Sequence, residues 1–136
     1  MGFLKTASIT AALTLAMPSA LAASPGGTDQ SMPTSTPTQV LLADQLKQAG
    51  LKYYGSWRCG ACQYQGRLFG EAASDRLPYV ECSPAGRSGP MATACVNNNI
   101  ANYPTWVIDG RHHTGLMSPE SLASLSNFSA QSRDTQ

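Results

Sequence analysis

The chain contains 136 residues, of which 12% are charged, and its formal net charge is +1 at pH 7. This length suits one small domain, and nine basic against eight acidic residues give no support for nucleic-acid or anionic-membrane binding, which usually needs a basic patch. The four cysteines are an even number and permit two disulfide bonds.

Residues 1–22 have the pattern of a signal peptide. Lys5 supplies a short positive region, residues 6–17 are apolar, and Ala20-Leu21-Ala22 fits the cleavage rule for signal peptidase. The apolar run is shorter than the ~20 residues that a spanning helix needs, so we expect no direct membrane span. An uncleaved N-terminal anchor is the alternative. Export would place the protein in an oxidising compartment, where disulfides persist.

Residues 23–38 are rich in Pro, Ser, Gly and Thr and are predicted to form a flexible tether. The folded domain is predicted over residues 39–129, with a disordered tail over residues 130–136. Apolar residues between Val40 and Ala49 are spaced for one face of a helix. We predict that Thr38 caps this helix and that Gly50 ends it.

The next elements alternate between strands and helices. A strand over residues 51–54 precedes Cys59-Gly60-Ala61-Cys62, and a helix is predicted over residues 62–73, with Gln65 among its polar positions. The elements predicted after it are a strand over residues 78–82, a loop over residues 83–90 and a short helix over residues 91–98.

The C-terminal part is predicted to form a hairpin followed by a helix. Strands over residues 105–108 and 111–114 flank Asp109-Gly110, a strong hairpin signal. Ser118 and Pro119 have the residue types that open a helix. The complete order predicts an α/β domain with a mixed sheet flanked by helices.

The C-x-x-C pair predicts redox chemistry. At a helix N-terminus, unpaired N–H groups and the helix dipole favour a thiolate at Cys59, whereas Cys62 lies one turn further in. We therefore expect Cys59 to be the nucleophile and Cys62 the resolving cysteine, with exchange through a mixed disulfide. The redox-active disulfide would itself be the reactive group, so no cofactor or metal is expected.

The pair has two other interpretations, a zinc site and a purely structural disulfide. A zinc site would combine it with Cys82, Cys95, His112 or His113, but the second cysteine pair lacks C-x-x-C spacing and export disfavours zinc. A purely structural disulfide would close a very short loop and gain little stability.

Residues outside the pair carry further expectations. Cys82 and Cys95 would staple the Gly/Pro-rich loop between them, or would form a second, exchangeable pair that relays electrons. The bond before Pro104 is either cis or an ordinary trans bond that delimits a strand. Trp57 is a packing residue or a substrate contact, and Tyr103 stands beside the proline.

Together, Trp57 to Cys62 and Tyr103-Pro104-Thr105 resemble the thioredoxin superfamily. The segments Tyr79-Val80-Glu81-Cys82-Ser83-Pro84 and Trp106-Val107-Ile108-Asp109-Gly110 look more narrowly like the thioredoxin-like domain of bacterial and plant vitamin K epoxide reductase homologues. This resemblance covers residues 40–128. It implies a thioredoxin-like fold with a central four-stranded sheet.

The resemblance also implies roles for residues and partners. Cys59 and Cys62 become the redox pair, Pro104 the cis-proline facing it, and Cys82 and Cys95 the additional cysteine pair of that domain. In that family the thioredoxin-like domain accepts electrons from exported proteins and passes them to a quinone-reducing membrane domain. In this sequence the predicted signal peptide stands in the place of that membrane domain. We therefore expect a stand-alone exported protein of the periplasm, or of a thylakoid lumen, that uses a separate membrane partner.

Gly60-Ala61 departs from the Pro-His dipeptide of strongly oxidising relatives, which predicts a weaker oxidant. The strand before the motif offers Tyr53 and Tyr54 where many thioredoxins bury an acid, so proton transfer to Cys62 would rely on water. The functional alternatives are a disulfide reductase or isomerase, and a non-catalytic module that binds peptides in a groove between Trp57 and Pro104.

Overall fold

The computed structural model describes residues 2 and 31–129. The predicted signal peptide (apart from Gly2), the first half of the predicted tether and the predicted tail lie outside the described residues. Among the residues that are described, no helix combines the length and apolar character needed to cross a membrane.

Residues 31–129 form helices and strands in the predicted alternation. In chain order they are α1 (Pro37–Gln48), β1 (Lys52–Gly55), α2 (Gly60–Phe69), α3 (Glu71–Ser74), β2 (Tyr79–Glu81), α4 (Thr93–Asn97), β3 (Thr105–Ile108), β4 (Arg111–Thr114) and α5 (Pro119–Leu125).

The four strands form one mixed sheet in the order β2-β1-β3-β4. Strand β1 is parallel to β2 and antiparallel to β3, and β3 pairs antiparallel with β4. Asp109 and Gly110 join β3 to β4 with positive φ angles of 49° and 74°, the backbone that a two-residue hairpin turn requires. This architecture confirms the predicted α/β class with a four-stranded mixed sheet flanked by helices.

The two faces of β1 supply two apolar clusters, because successive strand residues point to opposite sides of a sheet. Tyr53 faces the larger cluster and stacks on Trp106 of β3, with ring centroids 4.7 Å apart. Tyr54 faces the smaller cluster, which contains Cys82 and Cys95. Helices α1, α2 and α5 pack over the larger cluster through Leu46, Phe69 and Leu122, which are completely buried.

Helix α1 begins earlier than the sequence predicts. Thr36, not Thr38, is the N-cap: its side chain accepts a hydrogen bond from the Gln39 backbone N–H, and the Gln39 side chain accepts one from the Thr36 N–H. This reciprocal pair satisfies two N–H groups that the helix end would otherwise leave without partners. Pro37 then occupies the first helical turn, where its missing N–H costs nothing.

The described end of the predicted tether packs against the domain. The Pro33 carbonyl accepts a hydrogen bond from the Glu71 N–H at 2.8 Å, and the Ser35 hydroxyl accepts one from the Ala73 N–H at 2.9 Å. At Gly70 a Cβ atom would lie 2.7 Å from the Ser35 backbone nitrogen, and φ is +80°. The helix predicted over residues 62–73 is therefore split at Gly70 into α2 and α3.

Gln65 is buried, although the sequence places it among the polar positions of α2. Its side-chain amide donates to the Met117 carbonyl at 2.8 Å and accepts from the Met117 N–H at 2.9 Å. Trp106 donates its indole N–H to the same amide oxygen at 3.4 Å. These bonds replace the water that an exposed glutamine would bind, and they attach α2 to the chain before α5.

Cys82 and Cys95 are bonded to each other, and both are completely buried. Because this bond closes a loop whose ends are 13 residues apart, we expect the variant C82A/C95A to lose about 3 kcal/mol in the free energy of unfolding. Urea unfolding measures this loss. The matched variant C59A/C62A should lose less, because it removes two thiols and no covalent cross-link. Equal losses in the two variants would contradict this assignment.

Candidate redox site

Three chain segments meet at one end of the sheet. Gly55 at the end of β1 pairs with Glu81 at the end of β2, and the Cys82 N–H donates to the Gly55 carbonyl at 2.8 Å. On the other side, Tyr54 pairs with Thr105, the first residue of β3. The C-x-x-C turn, the disulfide-bonded loop and the Tyr103-Pro104 segment consequently leave or enter the sheet at the same end.

The cysteine pair opens helix α2 at this end. Cys59 is the N-cap, and its sulfur accepts a hydrogen bond from the Cys62 backbone N–H at 3.3 Å. The Cys59 N–H donates to the Ser56 carbonyl at 2.9 Å, which holds the turn closed. Cys59 is half-buried, whereas Cys62 is only 6% exposed. Both cysteines are thiols here, with Cys59 the more accessible of the two.

The environment of Cys62 favours its protonated form. Burial raises the pKa of the Cys62 thiol to about 12, and the hydrogen bond to the Cys59 side chain adds to this effect. A buried thiolate loses its hydration, so the neutral thiol is the stable form. Cys62 is therefore a buried neutral thiol at neutral pH.

Tyr53 lies beneath the pair, on the strand where many thioredoxins bury an acid. Its hydroxyl donates to the Cys62 carbonyl at 3.0 Å. Burial, followed by the nearby Cys62, raises the pKa of Tyr53 above its ordinary value. The hydroxyl therefore remains a hydrogen-bond donor at neutral pH and holds the first turn of α2 against the sheet.

Gly55 allows the Cys62 sulfur to approach the sheet. A Cβ atom on this residue would lie 2.9 Å from Cε2 of Tyr79 and 3.0 Å from the Cys62 sulfur. Real Cβ atoms do not come this close to another atom without displacing it. No role is predicted for Gly55 from the sequence, because the crowding across β1 and β2 has no local sequence signal.

Glu81 connects the redox turn to β2. Its carboxylate accepts hydrogen bonds from the Trp57 N–H at 2.8 Å, the Tyr79 hydroxyl at 2.6 Å and the Ser83 N–H at 2.6 Å. No role is predicted for Glu81 or Tyr79 from the sequence. In the sequence, Glu81 is recognisable only as an acid that precedes Cys82 at the end of a predicted strand.

A cavity of about 600 Å³ opens next to the buried thiol. Cys62, Tyr53 and Tyr79 contribute to its wall, together with Trp57. The Trp57 ring is 56% exposed, and the Arg58 guanidinium carbon lies 5.0 Å from its centroid. Trp57 is therefore a surface residue beside Cys59 and not part of the core, where Trp106 lies.

Tyr103 and Pro104 lie at the same end of the sheet, immediately before β3. The Tyr103–Pro104 peptide bond is cis, Pro104 is buried, and Tyr103 is half-buried against both apolar clusters. His112 and His113 lie on β4, which β3 separates from β1. Within residues 31–129 no group of three His, Cys, Asp or Glu residues is arranged to hold a metal ion.

Comparison with known proteins agrees with this geometry. The chain is 35% identical over 98 residues to a protein named thiol-disulfide oxidoreductase LTO1 from Arabidopsis thaliana. The mixed four-stranded sheet flanked by helices is compatible with a thioredoxin-like fold. The similarity covers 71% of this chain but only 26% of the plant protein, so the chain spans about a quarter of that relative's length. No protein-family model matches the chain. The similarity and the cysteine geometry together support a redox function.

The raised pKa of Cys62 predicts how the stability of the reduced protein depends on pH. An unfolded cysteine ionises near pH ~8.5, whereas folded Cys62 stays neutral until about pH 12. Reduced wild type should therefore lose stability relative to the reduced variant Cys62→Ser as pH rises through this window, because only the unfolded wild-type thiol ionises there. Denaturant unfolding of both proteins from pH 7 to pH 11 measures the difference; a constant difference would contradict the assignment.

Proposed function

We propose that this protein catalyses thiol–disulfide exchange with Cys59 as the nucleophile and Cys62 as the resolving cysteine. The observation that carries the proposal is the pair's placement at the start of α2. The Cys59 sulfur accepts the Cys62 N–H at the exposed helix end, while Cys62 is buried behind it. An accessible sulfur at a helix N-terminus can react first with an external partner, and the neighbouring protonated sulfur can react afterwards with the mixed disulfide.

The exchange has two balanced steps when the protein oxidises a substrate dithiol. A substrate thiolate attacks the Cys59 sulfur of the Cys59–Cys62 disulfide, so a mixed disulfide forms and Cys62 leaves as a thiolate that takes a proton. The second substrate thiolate then attacks the substrate sulfur of the mixed disulfide. Cys59 leaves as a thiolate, the substrate gains its disulfide, and the protein holds both electrons as a dithiol. No cofactor beyond the cysteine pair is needed for these steps.

The Cys82–Cys95 disulfide has a structural role in this proposal. Both sulfurs are completely buried in the smaller apolar cluster, so a substrate thiolate would have no approach to them. The bond anchors the loop after β2 beside the redox turn. The electron-relay alternative would require this cluster to open at every turnover.

We propose that the protein is exported and works in a periplasm, or in a thylakoid lumen, on exported proteins with free thiols. Support comes from the signal-peptide pattern and from the resemblance of the cysteine motifs to the vitamin K epoxide reductase homologues. A membrane partner of that kind would reoxidise the Cys59/Cys62 dithiol. The same site could instead reduce or isomerise disulfides if a membrane donor kept it reduced.

The reduced variant Cys62→Ser should trap covalent complexes with disulfide-containing proteins, because its Cys59 sulfur attacks a disulfide and releases the partner's other sulfur as a thiol. Without Cys62 the mixed disulfide on Cys59 has no internal thiol to resolve it, so it accumulates. Non-reducing electrophoresis detects the complexes after the reduced variant is mixed with secreted proteins that contain disulfides, and Cys59→Ser is the matched control that forms none. If Cys62→Ser traps nothing while wild type still binds the same proteins, the domain is a non-catalytic binding module.

The reduction potential of the Cys59/Cys62 pair determines the direction of electron flow. Because Ala61 cannot stabilise the Cys59 thiolate as a histidine could, we expect a potential between that of the strong oxidant DsbA, ~ −120 mV, and that of thioredoxin, ~ −270 mV. Equilibration with glutathione buffers, followed by alkylation and mass measurement, gives the value. A potential at or below thioredoxin's would support the reductase alternative and count against the oxidant.

A further inference from the structure

Glu81 makes three short hydrogen bonds to groups around the redox pair. The Trp57 N–H belongs to the turn that carries Cys59, the Ser83 N–H belongs to the disulfide-bonded loop, and the Tyr79 hydroxyl belongs to its own strand. Bonds from ordinary donors to a carboxylate are stronger than those between neutral groups. The Glu81 side chain therefore joins the redox turn to the disulfide-bonded loop.

Tyr79 extends this connection to Cys62. An edge atom of its ring and the Cys62 sulfur both lie within about 3 Å of the point where a Gly55 Cβ would stand. The ring also contacts the Tyr53 ring edge-on, with centroids 5.2 Å apart, and Tyr53 bonds the Cys62 carbonyl. Because the Glu81 carboxylate accepts the hydroxyl at the far end of this ring, it fixes the position of the ring beside the sulfur.

Resting on the exchange function proposed above, we propose that Glu81 and Tyr79 are positioning residues for the attack of Cys62 on a mixed disulfide at Cys59, the step that re-forms the Cys59–Cys62 bond when the dithiol reacts with a disulfide. Tyr79 limits where the Cys62 sulfur can lie, and Glu81 holds both Tyr79 and the Trp57 turn that presents Cys59. Glu81 and Tyr79 thus fix the Cys59 and Cys62 sulfurs relative to each other. Glu81 and Tyr79 contribute no electrons or bonds to the reaction.

The geometry predicts an effect on one step of the exchange. Cys59 is accessible at the end of α2, and its attack on an external disulfide needs only collision with that disulfide. The attack of Cys62 on the Cys59 sulfur is intramolecular, and its rate depends on holding the two sulfurs in line. Loss of the positioning pair should consequently slow the second step and leave the first step unchanged.

Reaction of the reduced protein with the aromatic disulfide dithiobis-nitrobenzoate separates the two steps. Cys59 attack releases one coloured thiol at a rate proportional to reagent concentration, and Cys62 attack then releases a second thiol at a rate independent of it. In Tyr79→Phe, which removes only the hydroxyl, and in Glu81→Gln, we expect the second rate to fall roughly tenfold, the effect of losing one hydrogen bond to a charged group.

The matched control is Glu71→Gln, which makes the same change at an exposed acid on α3 and should leave both rates unchanged. An unchanged second rate in both variants, or an equal fall in both rates with a lower melting temperature, would overturn the positioning role. A failure of the exchange function itself would look different, because wild type would then release only one coloured thiol.

Discussion

Strand β1 is hydrogen-bonded on both edges, and the site depends on that arrangement. Its pairing with β2 brings Gly55 beside Glu81, and its pairing with β3 brings Tyr54 beside Thr105. The stacking of Tyr53 on Trp106 fixes the same strand from its larger apolar face. A shift of one residue in either register would turn Tyr53 and Tyr54 to the wrong faces and carry the C-x-x-C turn away from its neighbours.

Much of the fold follows from local sequence signals. Alternating helices and strands, the Asp109-Gly110 turn and the Ser118-Pro119 start of α5 all appear in the sequence and in the structure. Each depends on residues within a few positions of one another. The C-x-x-C spacing belongs to the same class, because the N-cap position of Cys59 needs only the strand before it and the helix after it.

The features that the sequence analysis missed depend on contacts between distant segments. Gln65 looks like an exposed helix residue, and its burial depends on the Met117 backbone, which is 52 residues away. Gly70 breaks a helix because the segment preceding α1 packs against it. Glu81 acts on Trp57, 24 residues earlier, across a strand pairing. Single-sequence patterns carry periodicity and local chemistry, but they do not state which distant groups will meet.

The two tryptophans make the protein its own optical probe. Trp106 is completely buried and stacked on Tyr53, so its emission should respond mainly to unfolding. Trp57 is exposed, precedes Cys59 by two residues in the chain, and lies near the Arg58 guanidinium. A change between thiol and disulfide at Cys59 occurs next to the exposed Trp57 indole, whereas Trp106 is enclosed in the core. Fluorescence can therefore follow the oxidation state of the pair and the integrity of the core in a single unlabelled sample.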